Sequence, residues 1–220
     1  MDYILTTNNI LFFFFSTIFW PFSFYFFSFF NKKQEIVKNF THLFHAILFV
    51  SLYKILDNNH IIYPIILSIG FYTCDLFYIL YSLFIKKDKF LRHLPYIVHH
   101  CIANYGLYIA LSDYCREQVI YFYYILEYSN FLLYTGYHIQ KEYSNYKNLL
   151  LVSQFSQFIW YTYFRIIRFL IYLFKIRQLF LSVFISIQLI TIILFLMGAY
   201  WSWSLFQKSL FLLKIEEKLD

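Results

Sequence analysis

From Leu11 to Gln207 the chain alternates long apolar runs with short polar connections. The runs are about 17 to 28 residues long, the length that carries a helix across a hydrocarbon core about 30 Å thick. In such a core each backbone N–H and C=O has to be satisfied within its own segment, and only a helix does that for a run of this kind. Charged residues make up 14% of the chain, against about 25% in an ordinary soluble domain, so a soluble globular fold is excluded. The expectation is an all-α, multi-pass transmembrane helical bundle of about seven spans, near residues 10–30, 40–56, 61–85, 95–112, 118–138, 150–174 and 179–207.

The first run is aromatic from Phe12 to Phe30, with Pro21 inside it. Asp2 stands where a signal peptide carries basic residues, and no small-residue cleavage site follows, so this run reads as an anchor helix. Pro64 and Pro95 are expected in the first turns of the third and fourth spans, where a missing N–H costs nothing.

Lysine and arginine set the expected orientation. Alternate connections hold Lys32, Lys33 and Lys38, then Lys86, Lys87, Lys89 and Arg92, then Lys141 and Lys147, then Lys208, Lys214 and Lys218, twelve in all. The opposite side holds Arg116, Lys175 and Arg177. A cytosolic C-terminus and a lumenal N-terminus follow. This asymmetry accounts for most of the net charge of +6, and nucleic acid is not an expected partner. The four glycines are too far apart for a phosphate-cradling loop. Cys74, Cys101 and Cys115 have no CxxC spacing and read as free, packed thiols.

Ionisable side chains within the spans need a reason, because each costs roughly 2.5–3.5 kcal/mol at a span centre. His42, His45, Asp75, His99, His100, Glu127, Arg165 and Arg168 are of this kind. At a rise of about 1.5 Å per residue, His45 and His100 lie about 7–8 Å, and Asp75 and Glu127 about 15–16 Å, from the cytosolic ends of their spans. Arg165 is deeper, at about 22 Å. Spacings of three and four residues put Tyr123, Glu127, Asn130, Tyr134 and His138 on one helix face. They do the same for Gln154, Gln157, Tyr161, Arg165 and Arg168. Such stripes line an interior, either as packing glue, with Glu127 and Arg165 as a buried ion pair, or as a working site. The adjacent histidines favour work, since imidazole titrates near neutrality and serves as general acid or base. His60, His93 and His138 are expected to be solvated, and Trp201 and Trp203 to anchor the last span at headgroup level.

A set of motifs in fixed order runs from Asn39 to Lys208. They are Asn39-Phe-Thr-His-Leu-Phe-His45, Gly70-Phe-Tyr-Thr-Cys-Asp75, Val98-His99-His100, Leu126-Glu127-Tyr-Ser129-Asn130, Phe164-Arg165 and Tyr200-Trp201. In this the chain resembles the TLC-domain family, the membrane domain of ceramide synthases and translocation-associated membrane proteins. The resemblance implies an N-terminal anchor and basic loop over 1–38, a TLC domain of six helices around a central cavity over 39–208, and a charged cytosolic tail over 209–220. It implies an endoplasmic reticulum location and action in lipid metabolism, with membrane lipids as partners. In ceramide synthases the histidine pair transfers an acyl group from acyl-CoA to the amine of a sphingoid base. The resemblance therefore implies His99, His100 and Glu127 as catalytic, and His45, Asp75, Asn130 and Arg165 as cavity or supporting residues. Acyl-CoA is the implied co-substrate, with no bound cofactor and no metal. Asn130 departs from the ceramide synthase pattern, which has an aspartate there. Met197-Gly198 likewise replaces a more polar motif. These departures keep open a non-enzymatic lipid-binding, lipid-sensing or translocation protein. A metal-dependent lipid hydrolase, drawing ligands from His42, His45, His99, His100, Asp75 and Glu127, is a further alternative, and a proton-coupled transporter a lesser one.

Overall fold

The computed structural model describes residues 7–31, 33–57, 60–87, 89–111 and 115–216. Among them there is helix and no strand. The helices are α1 (Thr7–Ser28), α2 (Gln34–Ile55), α3 (Ile62–Phe84), α4 (Phe90–Leu111) and α5 (Arg116–Glu142). They continue with α6 (Lys147–Thr162), a π-helical segment (Tyr163–Arg168), α7 (Phe169–Lys175), α8 (Arg177–Ser182) and α9 (Ile185–Glu216). α1, α2, α3 and α9 are long and apolar enough to cross a membrane, which makes this a membrane protein. α4, α5 and α6 carry the histidines, carboxylates and glutamines that lower their apolar character.

Three boundaries differ most from expectation. α2 begins at Gln34 rather than near residue 40, which takes Lys38 of the expected basic loop into the helix. α4 begins at Phe90, so Pro95 lies inside the helix rather than in its first turn. There its missing N–H leaves a gap in the ladder of carbonyl contacts. The last apolar run is divided: α8 ends at an extended Val183, and α9 starts afresh at Ile185. The Gln188 amide closes this break by donating to the carbonyls of Leu181 and Val183 at 3.3 and 3.1 Å. α9 then continues into the expected tail as far as Glu216, while residues 217–220, like Lys32, lie outside the described residues.

The chain forms two compact units, one of residues 1–37 and 48–124, the other of 38–47 and 125–220. In the first, α1 packs on α3. Trp20 Nε1 and Ser16 Oγ both donate to the Leu67 carbonyl, at 2.8 and 3.1 Å. Gly70 makes the approach possible, since a Cβ there would fall 1.8 Å from Ser16 Oγ and 2.8 Å from Ser16 Cβ. Small residues that let helix backbones close up are the usual device inside a bilayer. The other side of α1 stays bare: Phe14, Ile18 and Phe22 are 59%, 70% and 63% exposed. A stripe of large apolar groups on that scale needs lipid against it.

In the second unit, α6 and the π-helical segment pack against α9. Tyr128 and Phe164 meet edge to face at 4.9 Å, and Trp160 Nε1 donates to the Tyr128 carbonyl at 3.0 Å. Tyr161 and Phe169 are buried on the same side.

Candidate functional site

The polar residues singled out in the sequence fall into two clusters, one in each unit. In the first unit α3 supplies Asp75 and α4 supplies His99 and His100. His100 Nε2 lies 2.7 Å from Asp75 Oδ2, an ion-pair distance, with both side chains almost fully buried. Neither ring nitrogen of His100 makes a hydrogen bond of good geometry among the described residues, so the contact with Asp75 is one of close charge rather than a formed hydrogen bond. Tyr72, one helical turn before Asp75, sets its ring 5.4 Å from that of His100 and edge-on to His99 at 6.1 Å. One turn beyond His100, Asn104 donates to Thr73 Oγ1 at 3.4 Å. The Tyr123 hydroxyl donates to the Ala103 carbonyl. α4 is thus tied to α3 beside the pair and to α5 next to it, and the imidazole has a carboxylate close to one nitrogen and none at the other.

The second unit gathers His45 from the middle of α2, Glu127, Ser129 and Asn130 from α5, and Arg165 from the π-helical segment. All are buried. His45 Nδ1 lies 3.6 Å from Glu127 Oε2. The Asn130 amide donates to that same Glu127 oxygen at 3.4 Å, and its carbonyl oxygen accepts from Arg165 Nη2 at 3.2 Å. Arg165 Nε donates to Ser129 Oγ at 2.8 Å, and Nη2 also reaches the Leu126 carbonyl at 3.3 Å. The guanidinium stacks on the Tyr161 ring at 5.2 Å, and Nη1 has no hydrogen-bond partner among the described residues. Glu127 and Arg165, weighed in the sequence as an ion pair, are therefore linked through Asn130. This gives Asn130 a role of its own: an amide can donate to one neighbour and accept from the other, which a carboxylate cannot do.

Local backbone explains why Arg165 reaches so far. A π-helical turn shifts the side chains after it round the helix axis relative to α-helical spacing, and such turns recur at functional positions. Gly198 of α9 lies against it: a Cβ there would meet Arg165 Cβ at 3.4 Å, an ordinary packing contact. Of the remaining expected residues, His42 meets the Tyr134 hydroxyl at 3.4 Å. Asn39 donates to the Tyr134 carbonyl at 2.7 Å. Arg168 is half-buried.

His60 is exposed and paired with Asp57 at 2.6 Å. His93 and His138, expected in solvent, are half-buried, His138 against the Phe40 ring at 5.0 Å. The cysteines are free, but Cys101 faces outward rather than into packing. Tyr161 was expected on the polar face of its helix, whereas Tyr72 and Ser129 stood in the sequence motifs with no role of their own. The three-residue spacing of Tyr72 and Asp75 is the signal that could have pointed to Tyr72.

Among the described residues no three His, Cys, Asp or Glu side chains come together as a metal site. No family model matches the chain, and no curated protein or solved structure does either.

Proposed function

We propose that this chain is a seven-span membrane protein of TLC type that transfers a fatty acyl group from acyl-CoA to the amine of a sphingoid base. The observation that carries the reading is a buried histidine, His100, whose Nε2 lies at an ion-pair distance of 2.7 Å from Asp75 Oδ2 while Nδ1 faces away from that carboxylate. A carboxylate that fixes one nitrogen sets the tautomer and ring orientation, and leaves the second nitrogen to act as base. On this proposal the amine attacks the thioester carbonyl. The N–C bond forms, the C–S bond breaks, the amine proton passes to His100 Nδ1, and from there it goes to the departing thiolate.

The orienting carboxylate of the pair is Asp75 on this reading, with Glu127 serving His45 in the same manner. His99 shares Tyr72 with His100 and lines the site. The excess of lysine on one side gives the orientation, with the C-terminus in the cytosol, where acyl-CoA is made, and the N-terminus in the lumen of the endoplasmic reticulum.

The test is acyl transfer from labelled long-chain acyl-CoA to a sphingoid base in microsomes that lack their own ceramide synthase, with wild type and His99→Ala/His100→Ala matched for expression. Histidine-dependent product is expected. Absence of product from well-folded wild type would reject the transferase reading in favour of a second one, a TLC-type protein that binds or escorts lipid without turnover. One observation favours that second reading: Asn130 is engaged on both sides, by Glu127 and by Arg165, as a structural bridge would be.

A further inference from the structure

Outside both clusters, the ends of α5 and α9 and the start of α6 enclose an open cleft of about 590 Å³, all within the second unit. Its polar lining is Gln140, Gln154, Ser204, Gln207 and Lys208. Gln154 is 1% exposed. Its carbonyl oxygen accepts from Gln140 Nε2 at 2.5 Å, while its own Nε2, with two N–H groups, has no hydrogen-bond partner among the described residues. A buried amide donor left in this state destabilises the fold unless something fills it. The unmet chemistry of the cleft is therefore that of a donor set with one full positive charge, from Lys208, and none of the described residues lining it is acidic.

We propose that this cleft binds the phosphate of an anionic phospholipid headgroup, held by Lys208, Gln154 and Ser204. Hydrogen bonds from charged donors to phosphate oxygens are shorter and stronger than neutral ones. The volume falls within the range of about 300–1,000 Å³ usual for small-ligand sites. Leu150, Phe211 and Leu212 form the apolar remainder of the wall, which suits the glycerol and first acyl carbons and gives a free phosphate ester nothing.

Depth argues for a lipid as well. Trp203, immediately before Ser204, is 60% exposed, and exposed tryptophans on membrane helices collect at headgroup level. Lys141 and Lys147, exposed at the α5–α6 connection, add positive charge on the same side. The leaflet that attracts such lysines is the one rich in anionic lipid. The proposal is independent of any chemistry at His100.

The experiment is native mass spectrometry of the full-length protein in detergent, titrated with phosphatidylserine or phosphatidylcholine. Wild type is compared with Lys208→Gln and Gln154→Leu. Retention of phosphatidylserine about tenfold tighter than phosphatidylcholine is expected, with each variant weakening it about tenfold. Because Lys208 is exposed, its variant leaves packing intact, and matched thermal unfolding of both variants controls for folding. Equal retention of the two lipids, or undiminished phosphatidylserine binding in folded Lys208→Gln, would overturn the proposal. So would displacement of the lipid by millimolar glycerol 3-phosphate, which would assign the cleft to soluble phosphate esters.

Discussion

Replacing Asp75 by Asn keeps the size and shape of the side chain against His100 but removes its charge. Two unit charges 2.7 Å apart attract by about 6 kcal/mol at an effective dielectric of about 20. That attraction acts only on the charged ring. In a transition state where the amine proton is half transferred to Nδ1, about half of it, or about 3 kcal/mol, lowers the barrier. Its loss corresponds to a roughly 10²-fold fall in rate.

The ground state is affected less, since a neutral imidazole gains little from the carboxylate, so the loss belongs in kcat and leaves KM near its wild-type value. The amide is a better probe here than alanine at His100, which would leave a buried carboxylate without its partner and cost about 3–5 kcal/mol of stability. The assay is acyl transfer in microsomes without endogenous activity, with varied sphingoid base and matched amounts of folded protein. Asp75→Asn turnover within about twofold of wild type would refute the assignment of His100 as a base supported by Asp75.

Arg165→Met should lower the unfolding temperature in detergent, because Ser129, Asn130 and the Leu126 carbonyl lose a charged donor worth about 1.5–3 kcal/mol per bond; an unchanged transition would show that the π-helical segment does not depend on this arginine. Gly70→Val forces a Cβ to 1.8 Å from Ser16 Oγ and should cost about 1–3 kcal/mol by overpacking, read as earlier release of α1 to protease in detergent, and an α1 as resistant as in wild type would refute the close approach. Burial pushes the Cys115 thiol up from its ordinary value, so at any given pH less thiolate is present and maleimide labelling should be slower than at an exposed cysteine, with its rate still rising at pH values where the exposed thiol has levelled off. A pH–rate curve coincident with that of free cysteine would contradict this.

How far the site could be read ahead of the structure depends on the residue. That His100, Asp75, Glu127 and Arg165 would be buried followed from their place inside apolar runs, because a charge facing lipid is too costly to keep. The helical stripes on α5 and α6 followed from spacing alone, and Glu127, Asn130, Gln154, Gln157, Tyr161 and Arg165 are indeed buried. Which carboxylate serves which histidine did not follow. The resemblance put Glu127 with the histidine pair and Asp75 in support, whereas Asp75 lies against His100 and Glu127 against His45, because spacing along one helix orders its faces but carries no information about the helix opposite.

The cleft beside Gln154 illustrates the same limit, since Gln140, Gln154 and Lys208 belong to three helices and form no pattern along the chain. The π-helical turn around Arg165 and the early start of α4 that takes Pro95 into the helix also left no mark in hydropathy. What the sequence determined by itself is the solvent and the secondary structure: apolar run length demands a membrane, and unsatisfied backbone in lipid demands helix. What the tertiary structure decided is pairing, because helices in a bilayer select their neighbours through close fit and a few buried polar contacts, at places such as Gly70 against Ser16 and Asp75 against His100.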